Sequence, residues 1–231
     1  MKVVVCLHAP RAAAGEPAAL GLDDAHALAL ALALGGGHTV TALLAGTAPD
    51  AGPLHRALAA GAARAVRVVG EDFGAADFHT LGQALATAVK RIGADLVLAG
   101  ARSDDDGLGA VPAALARQLG ALHVACIESL AVAEGGVELS VRGGGQRRRL
   151  RVPLPAVLSV VAGGRAAPAL PAAANASSAD AAAPAVEVLS LIDPEATVVR
   201  RRTELLGQPE LPQRTLEEVA SAEALVAALE R

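Results

Sequence analysis

The sequence predicts an α/β fold: a Rossmann-like, mostly parallel, doubly wound sheet with an added antiparallel hairpin and a C-terminal arm. Three observations carry this. KVVVCLH (2–8) and ADLVLAG (94–100) are almost wholly apolar, as strands buried on both faces of a parallel sheet must be. Such runs alternate with helical stretches rich in Ala and Leu up to residue 120. The stretch 122–162 then abandons the alternation for nearly continuous strand, with glycine turns at Gly135-Gly136 and Gly143 to Gly145.

Each element follows in order. After the first strand and a Pro/Gly loop comes DDAHALALALALGGG. Its Ala-Leu alternation imitates a strand, but Ala and Leu are strong helix formers, Asp23 or Asp24 offers a cap and Gly35 a stop, so a helix is expected. HTVTALLAG (38–46) is a strand, GPLHRALAAGA (52–62) a short helix ending at Gly61, and RAVRVVG (64–70) a strand. AADFHTLGQALATAVKRIG (75–93) is a long amphipathic helix, followed by the strand 94–100. A helix is expected to begin near Gly109, and a return strand to run from Ala156 to Ala162. These divisions predict a core over 1–162, an exposed loop over 163–185 and an arm over 186–231. The loop is Ala, Pro, Ser and Gly with little bulk and cannot order itself alone. The arm has a strand-like start and a last helix from about Thr215.

Composition narrows the function. Aromatics are 1% of the 231 residues, Phe73 and Phe78 alone, so the core is Ala, Val and Leu and there is little with which to stack a flavin or a base. A net charge of −4 gives no general attraction to nucleic acid. The most membrane-like run, Ala25 to Leu34, is about half of the ~20 residues a membrane span needs, so no membrane insertion is expected. Met1-Lys2 leads straight into Val3, which predicts no signal peptide, and Cys6 and Cys126 form no CxxC pair. Their usage suits a reducing cytoplasm. The histidines fall in no metal or catalytic spacing, and no nucleophile elbow or Walker loop is present. The chain does not read as an enzyme acting alone.

The sharpest local feature is ARSDDDGLGAVPAALARQLG (101–120). Counting twelve from Asp104, Asp105 or Asp106 reaches no Glu, so a calcium loop is not supported. Gly107 and Gly109 begin a dinucleotide-like pattern, but Pro112 stands where its third glycine belongs. Two readings remain open: a plain strand–helix connection capped by Asp, or an anion pocket. In the second, backbone N–H groups approach a ligand at the carboxyl end of a strand and at a helix start. Arg147-Arg148-Arg149 with Arg151, and Arg200-Arg201-Arg202, read either as a solvated sheet edge or as a docking surface for an acidic partner.

Taken together, the ordered features resemble the β subunit of electron transfer flavoproteins from Met1 to about Leu191. DAHALALAL (24–32) is similar to that family's DExALEEAL helix, and RALAAGAARAVRVV to its ALAMGAD segment. GARSDDDGLGAVPAALARQLG is similar to its GKQAIDGDTGQVGPMLAELLG pattern, and VPLPAVLSVVAGGRAAPALP to its LPAV strand and following loop. The resemblance implies a Rossmann-like domain paired with an α subunit that holds most contacts to a redox-active FAD, with AMP as a structural ligand in this chain. It implies a nucleotide pocket formed by Cys6, Ala45, Gly100, Ser103, Asp105, Gly107, Gly109, Ala110 and Val111, the phosphate meeting backbone at 109–111. It further implies docking of a dehydrogenase on the loop after the LPAV strand, anchored by Leu170 beside Pro171. The sequence departs from the family at Gly21-Leu22-Asp23, where Asn-Pro-Phe is usual, and at Ala110, where Gln is usual. Ala172 to Ala183 replaces a Lys-rich stretch, which implies a different docking partner or weaker docking. A bifurcating type with a second FAD and a stand-alone nucleotide sensor are the competing functions.

Overall fold

A computed structural model describes residues 1–8, 20–46, 51–70, 73, 76–103, 107–163, 170 and 185–190. All of them belong to one compact unit, Met1–Arg201. The second unit, Arg202–Arg231, lies outside the described residues.

The predicted alternation is the observed one. It runs β1 (Lys2–Leu7), α1 (Leu22–Ala33), β2 (Thr39–Ala45), α2 (Gly52–Ala60), β3 (Arg64–Val69), α3 (Phe78–Ile92), β4 (Leu96–Gly100) and α4 (Val111–Leu119). The strands β5 (Leu122–Ala133), β6 (Gly136–Gly143), β7 (Gln146–Pro153), β8 (Ala156–Val160) and β9 (Glu187–Ser190) follow. They form one nine-stranded sheet in the order β7-β6-β5-β8-β4-β1-β2-β3-β9. Every pairing from β5 through β8 to β9 is parallel; β5–β6 and β6–β7 are antiparallel. Here the 122–162 stretch is a three-stranded meander whose last turn returns β8 between β5 and β4. β9, which the sequence assigns to the head of the arm, lies in the core's own sheet beside β3. There Glu187 accepts from Arg64 Nε and Nη2 at 2.9 and 2.8 Å.

Alternate residues of β1 enter opposite apolar layers. Val3, Val5 and Leu7 join the layer that holds α1 and α2, whereas Val4 and Cys6 join the layer that holds α3 and α4. This is why the strand carries no polar alternation. The helices obey their local signals except at one point. α2 and α3 stop at left-handed Gly61 and Gly93, and Asp77 caps α3 by accepting from Thr80 N at 2.8 Å. At α1, however, the N-cap is Gly21 and no side chain caps the helix. The expectation that Asp23 or Asp24 caps α1 is therefore corrected: both sit inside the first turn, buried, and bond elsewhere.

β7 is one of the two edge strands, and Arg147, Arg148, Arg149 and Arg151 are all exposed on it, as the solvated-edge reading expects. Arg147 is also tied down. Its Nε lies 2.9 Å from Glu128, and Arg142 Nε lies 2.7 Å from the same buried carboxylate. Arg200, Arg201 and Arg202 lie outside the described residues.

Candidate functional site

The sheet order reverses at β1. The chain leaves β1 toward β2 and β3 with α1 and α2 on one face, then crosses to β4 on β1's other side and places α4 on the opposite face. In open α/β sheets such a switch point leaves a crevice beyond the carboxyl ends of the strands. A cleft is found there. Cys6, Ala45 and Gly100 line it from β1, β2 and β4, Leu81 and Leu85 from α3, and Val111 and Pro112 from the start of α4.

Two neighbouring carboxylates in α1 build this end of the sheet. Asp24 Oδ2 accepts from the backbone N–H of His8 at 2.7 Å, and its Oδ1 from that of Gly100 at 2.9 Å. Asp23 Oδ1 accepts from the N–H of Ala162 at 2.7 Å. The first turn of α1 thus gathers the ends of β1, β4 and β8, satisfying N–H groups that the sheet ladders leave open. Gly100 must be glycine for the same reason: a Cβ there would stand 2.5 Å from Asp24 Oδ1 and 3.1 Å from Asp24 N. Asp23 Oδ2 is buried without a hydrogen bond, and Arg102 Nε lies 3.6 Å away. Burial, and after it the Asp24 carboxylate, push the Cys6 thiol well above its ordinary pKa, so Cys6 is a neutral wall of the cleft.

Of the residues expected in a nucleotide pocket, Cys6, Ala45, Gly100, Ser103 and Val111 come together in this cleft. Gly107, Gly109 and Ala110 do not line it. Gly107 has a φ of +67°, a turn conformation that glycine allows. Gly109 lies so tightly on the carbonyl of Ala101 that no Cβ fits, which gives it a structural reason independent of any ligand. Ala110 is the N-cap of α4. Asp105 and Pro171 lie outside the described residues; Leu170 is half-buried against the layer of α1 and α2. Sequence reasoning missed His8 and Asp24, which also face the cleft, whereas Arg102 lies within the stretch 100–106 that the resemblance places along the pocket. The signal for Asp24 was a pair of acids opening an otherwise apolar helix.

The floor is apolar, and among its described lining residues Arg102 is the one Lys or Arg, Asp24 the one carboxylate, and Phe, Tyr and Trp are missing. Among the described residues there is no cluster of three or more His, Cys, Asp or Glu able to hold a metal, and no helix long and apolar enough to cross a membrane.

Fold and cleft together define a doubly wound α/β protein with a crevice at its switch point. The chain matches the family described as electron transfer flavoprotein domain over residues 12–193, and it belongs to that family. It is similar to an electron transfer flavoprotein subunit beta of Syntrophomonas wolfei, 34% identical over 120 residues, 52% of this chain and 47% of that protein. It is also similar to Protein FixA of Azorhizobium caulinodans, 32% identical over 157 residues, 64% of this chain and 56% of that protein. The matched stretches thus span about half the length of these curated relatives.

Proposed function

We propose that this chain is the β-type subunit of a two-subunit electron carrier. Electrons enter from a dehydrogenase, reside on an FAD held mainly by an α subunit, and leave to an acceptor. FAD, when bound, supplies the one- and two-electron chemistry. This chain supplies the scaffold, a structural AMP in the switch-point cleft, and a docking loop at 163–185 with Leu170 and Pro171 as its anchor. It contributes no acid, base or nucleophile to catalysis. The observation that carries the reading is the cleft at the β1/β4 switch point in a chain of this family. The arm beyond β9 is assigned to contact with the α subunit, and the two unpaired cysteines suit a cytoplasmic site of action.

The test is mass spectrometry of the small molecules that co-purify with the chain, expressed alone and with its genomic neighbour. AMP on this chain, with one FAD on the pair, supports the reading. Two FAD per pair would replace it with a bifurcating type. A stable, colourless monomer that binds nucleotide and recruits no second subunit would favour a stand-alone sensor.

A further inference from the structure

We propose that Arg102 is the residue that recognises the phosphate of the cleft's nucleotide, and that Asp23 holds it ready while the cleft is free. The proposal rests on the reading of the cleft as a nucleotide site.

A phosphate entering this cleft meets the Asp24 carboxylate on its wall, and like charges repel. Asp24 is not free to turn away, because its two oxygens hold the N–H groups of His8 and Gly100. The backbone offers less compensation than the loop glycines suggest. Gly107 and Gly109 are off the lining, and Pro112 removes one of the unpaired N–H groups at the start of α4. Arg102 is the one Lys or Arg among the described residues that line the cleft. It stands two residues beyond the end of β4, at the crevice mouth.

Its present contact is a waiting one. The Arg102 side chain is 66% exposed, and its Nε lies 3.6 Å from Asp23 Oδ2, within Coulomb range but beyond a hydrogen bond. Asp23 is 6% exposed at the side chain, and that oxygen accepts no hydrogen bond. So the buried carboxylate draws the guanidinium to the cleft, while the guanidinium keeps its donors for an incoming anion. Guanidinium matches phosphate in both charge and planar donor geometry. Asp23 Oδ1 stays on Ala162 N throughout, so a shift of Arg102 does not undo the join between α1 and β8. The contact serves a nucleoside monophosphate and the adenylate half of a larger nucleotide equally.

The experiment is equilibrium binding of AMP, adenosine and FAD to the full chain, as wild type and as Arg102→Gln and Arg102→Lys. Arg102 is exposed and both variants are expected to fold, with melting curves to check it. Wild type should bind AMP more tightly than adenosine. Arg102→Gln should weaken AMP about 10- to 100-fold, the size of one charge-assisted hydrogen-bonded contact, and leave adenosine unchanged. Arg102→Lys should fall between, and added salt should weaken AMP on wild type more than on Arg102→Gln. FAD bound in place of AMP with the same loss would support the assignment with a larger ligand. Equal AMP affinity in wild type and Arg102→Gln, or equal affinity of wild type for AMP and adenosine, would overturn it and leave the cleft reading standing. Wild type that binds none of the three overturns the cleft reading, and this assignment with it.

Discussion

Asp24 is the residue whose replacement tests the architecture of the cleft most severely. Its carboxylate accepts two backbone N–H groups at 2.7 and 2.9 Å, one from each of the adjacent strands β1 and β4, and the residue is buried. A hydrogen bond to a charged acceptor contributes about 1.5–3 kcal/mol, so Asp24→Ala is expected to cost about 3–6 kcal/mol. For a domain of this size that lowers the melting temperature by at least about 6 °C. The sharper comparison is Asp24→Asn. The amide keeps the shape but presents one oxygen and one NH₂ to two donors, so one N–H faces another. Asn should therefore rescue little, falling within about 1 kcal/mol of Ala.

The neighbouring residue supplies the control. Asp23 accepts one N–H, that of Ala162, and its second oxygen has no hydrogen bond. Asp23→Asn can keep the bond with Oδ1 and should cost less than about 1.5 kcal/mol, whereas Asp23→Ala should cost about 1.5–3 kcal/mol. Urea unfolding of the four variants, read as midpoints at constant slope, measures all four values. If Asp24→Asn unfolds with the wild type, the carboxylate is not what holds the ends of β1 and β4 together, and the account of this crevice fails.

Three further outcomes are expected. Gly82→Ala should destabilise by about 1–2 kcal/mol in thermal melts. Its Cβ would stand 2.8 Å from Ala114 Cβ and 3.1 Å from Leu115 N where α3 crosses α4, so overpacking outweighs the ~1 kcal/mol that Ala gains over Gly in a helix. A Gly82→Ala chain as stable as wild type would show that α4 yields. Burial lowers the pKa of His123, which lies on β5 opposite Val157. As pH falls below about 6.5 the unfolded chain takes up a proton that the folded chain resists, so stability present at pH 7 is lost toward pH 5, by part of ~1.4 kcal/mol per unit. His123→Gln should flatten that loss in urea midpoints; an unchanged slope would assign it to other groups. Iodoacetamide should label the exposed Cys126 and spare Cys6, whose raised pKa keeps it a thiol, until the chain is unfolded. Peptide mapping that finds Cys6 labelled first would contradict its place in the cleft wall.

What could be read from the sequence, and what could not, divides by the distance over which residues act. The helices and parallel strands are written locally. The left-handed glycines that follow α2, α3 and α4 sit within two residues of the ends they mark, and the apolar runs of β1, β4 and β8 need only their own composition. Even the Ala-Leu alternation of α1, which has the period of a strand, resolves correctly because Ala favours helix strongly. The cleft is different. Asp24 reaches His8 across 16 residues and Gly100 across 76, and Asp23 reaches Ala162 across 139. No local rule reports such bonds, and the nearest one, that an acid opening a helix caps it, gives the wrong partner. Gly109 has a packing reason that is equally hidden from a local rule: its neighbour is the carbonyl of Ala101, eight residues back.

Elementary energetics does reach these residues. Carboxylates are seldom buried unless their oxygens are satisfied. Two consecutive acids at the head of a helix that is apolar almost all round have no solvent face on which to sit. They must then satisfy donors on another element, and the donors left open in a parallel sheet are those at strand ends. By that reasoning Asp23 and Asp24 point to the carboxyl edge of the sheet, where the switch point lies. The same pair that closes the sheet also sets the charge of the crevice. Asp24 lines that crevice, and Arg102 is the one Lys or Arg among its described lining residues, which is the charge balance the proposed role of Arg102 addresses.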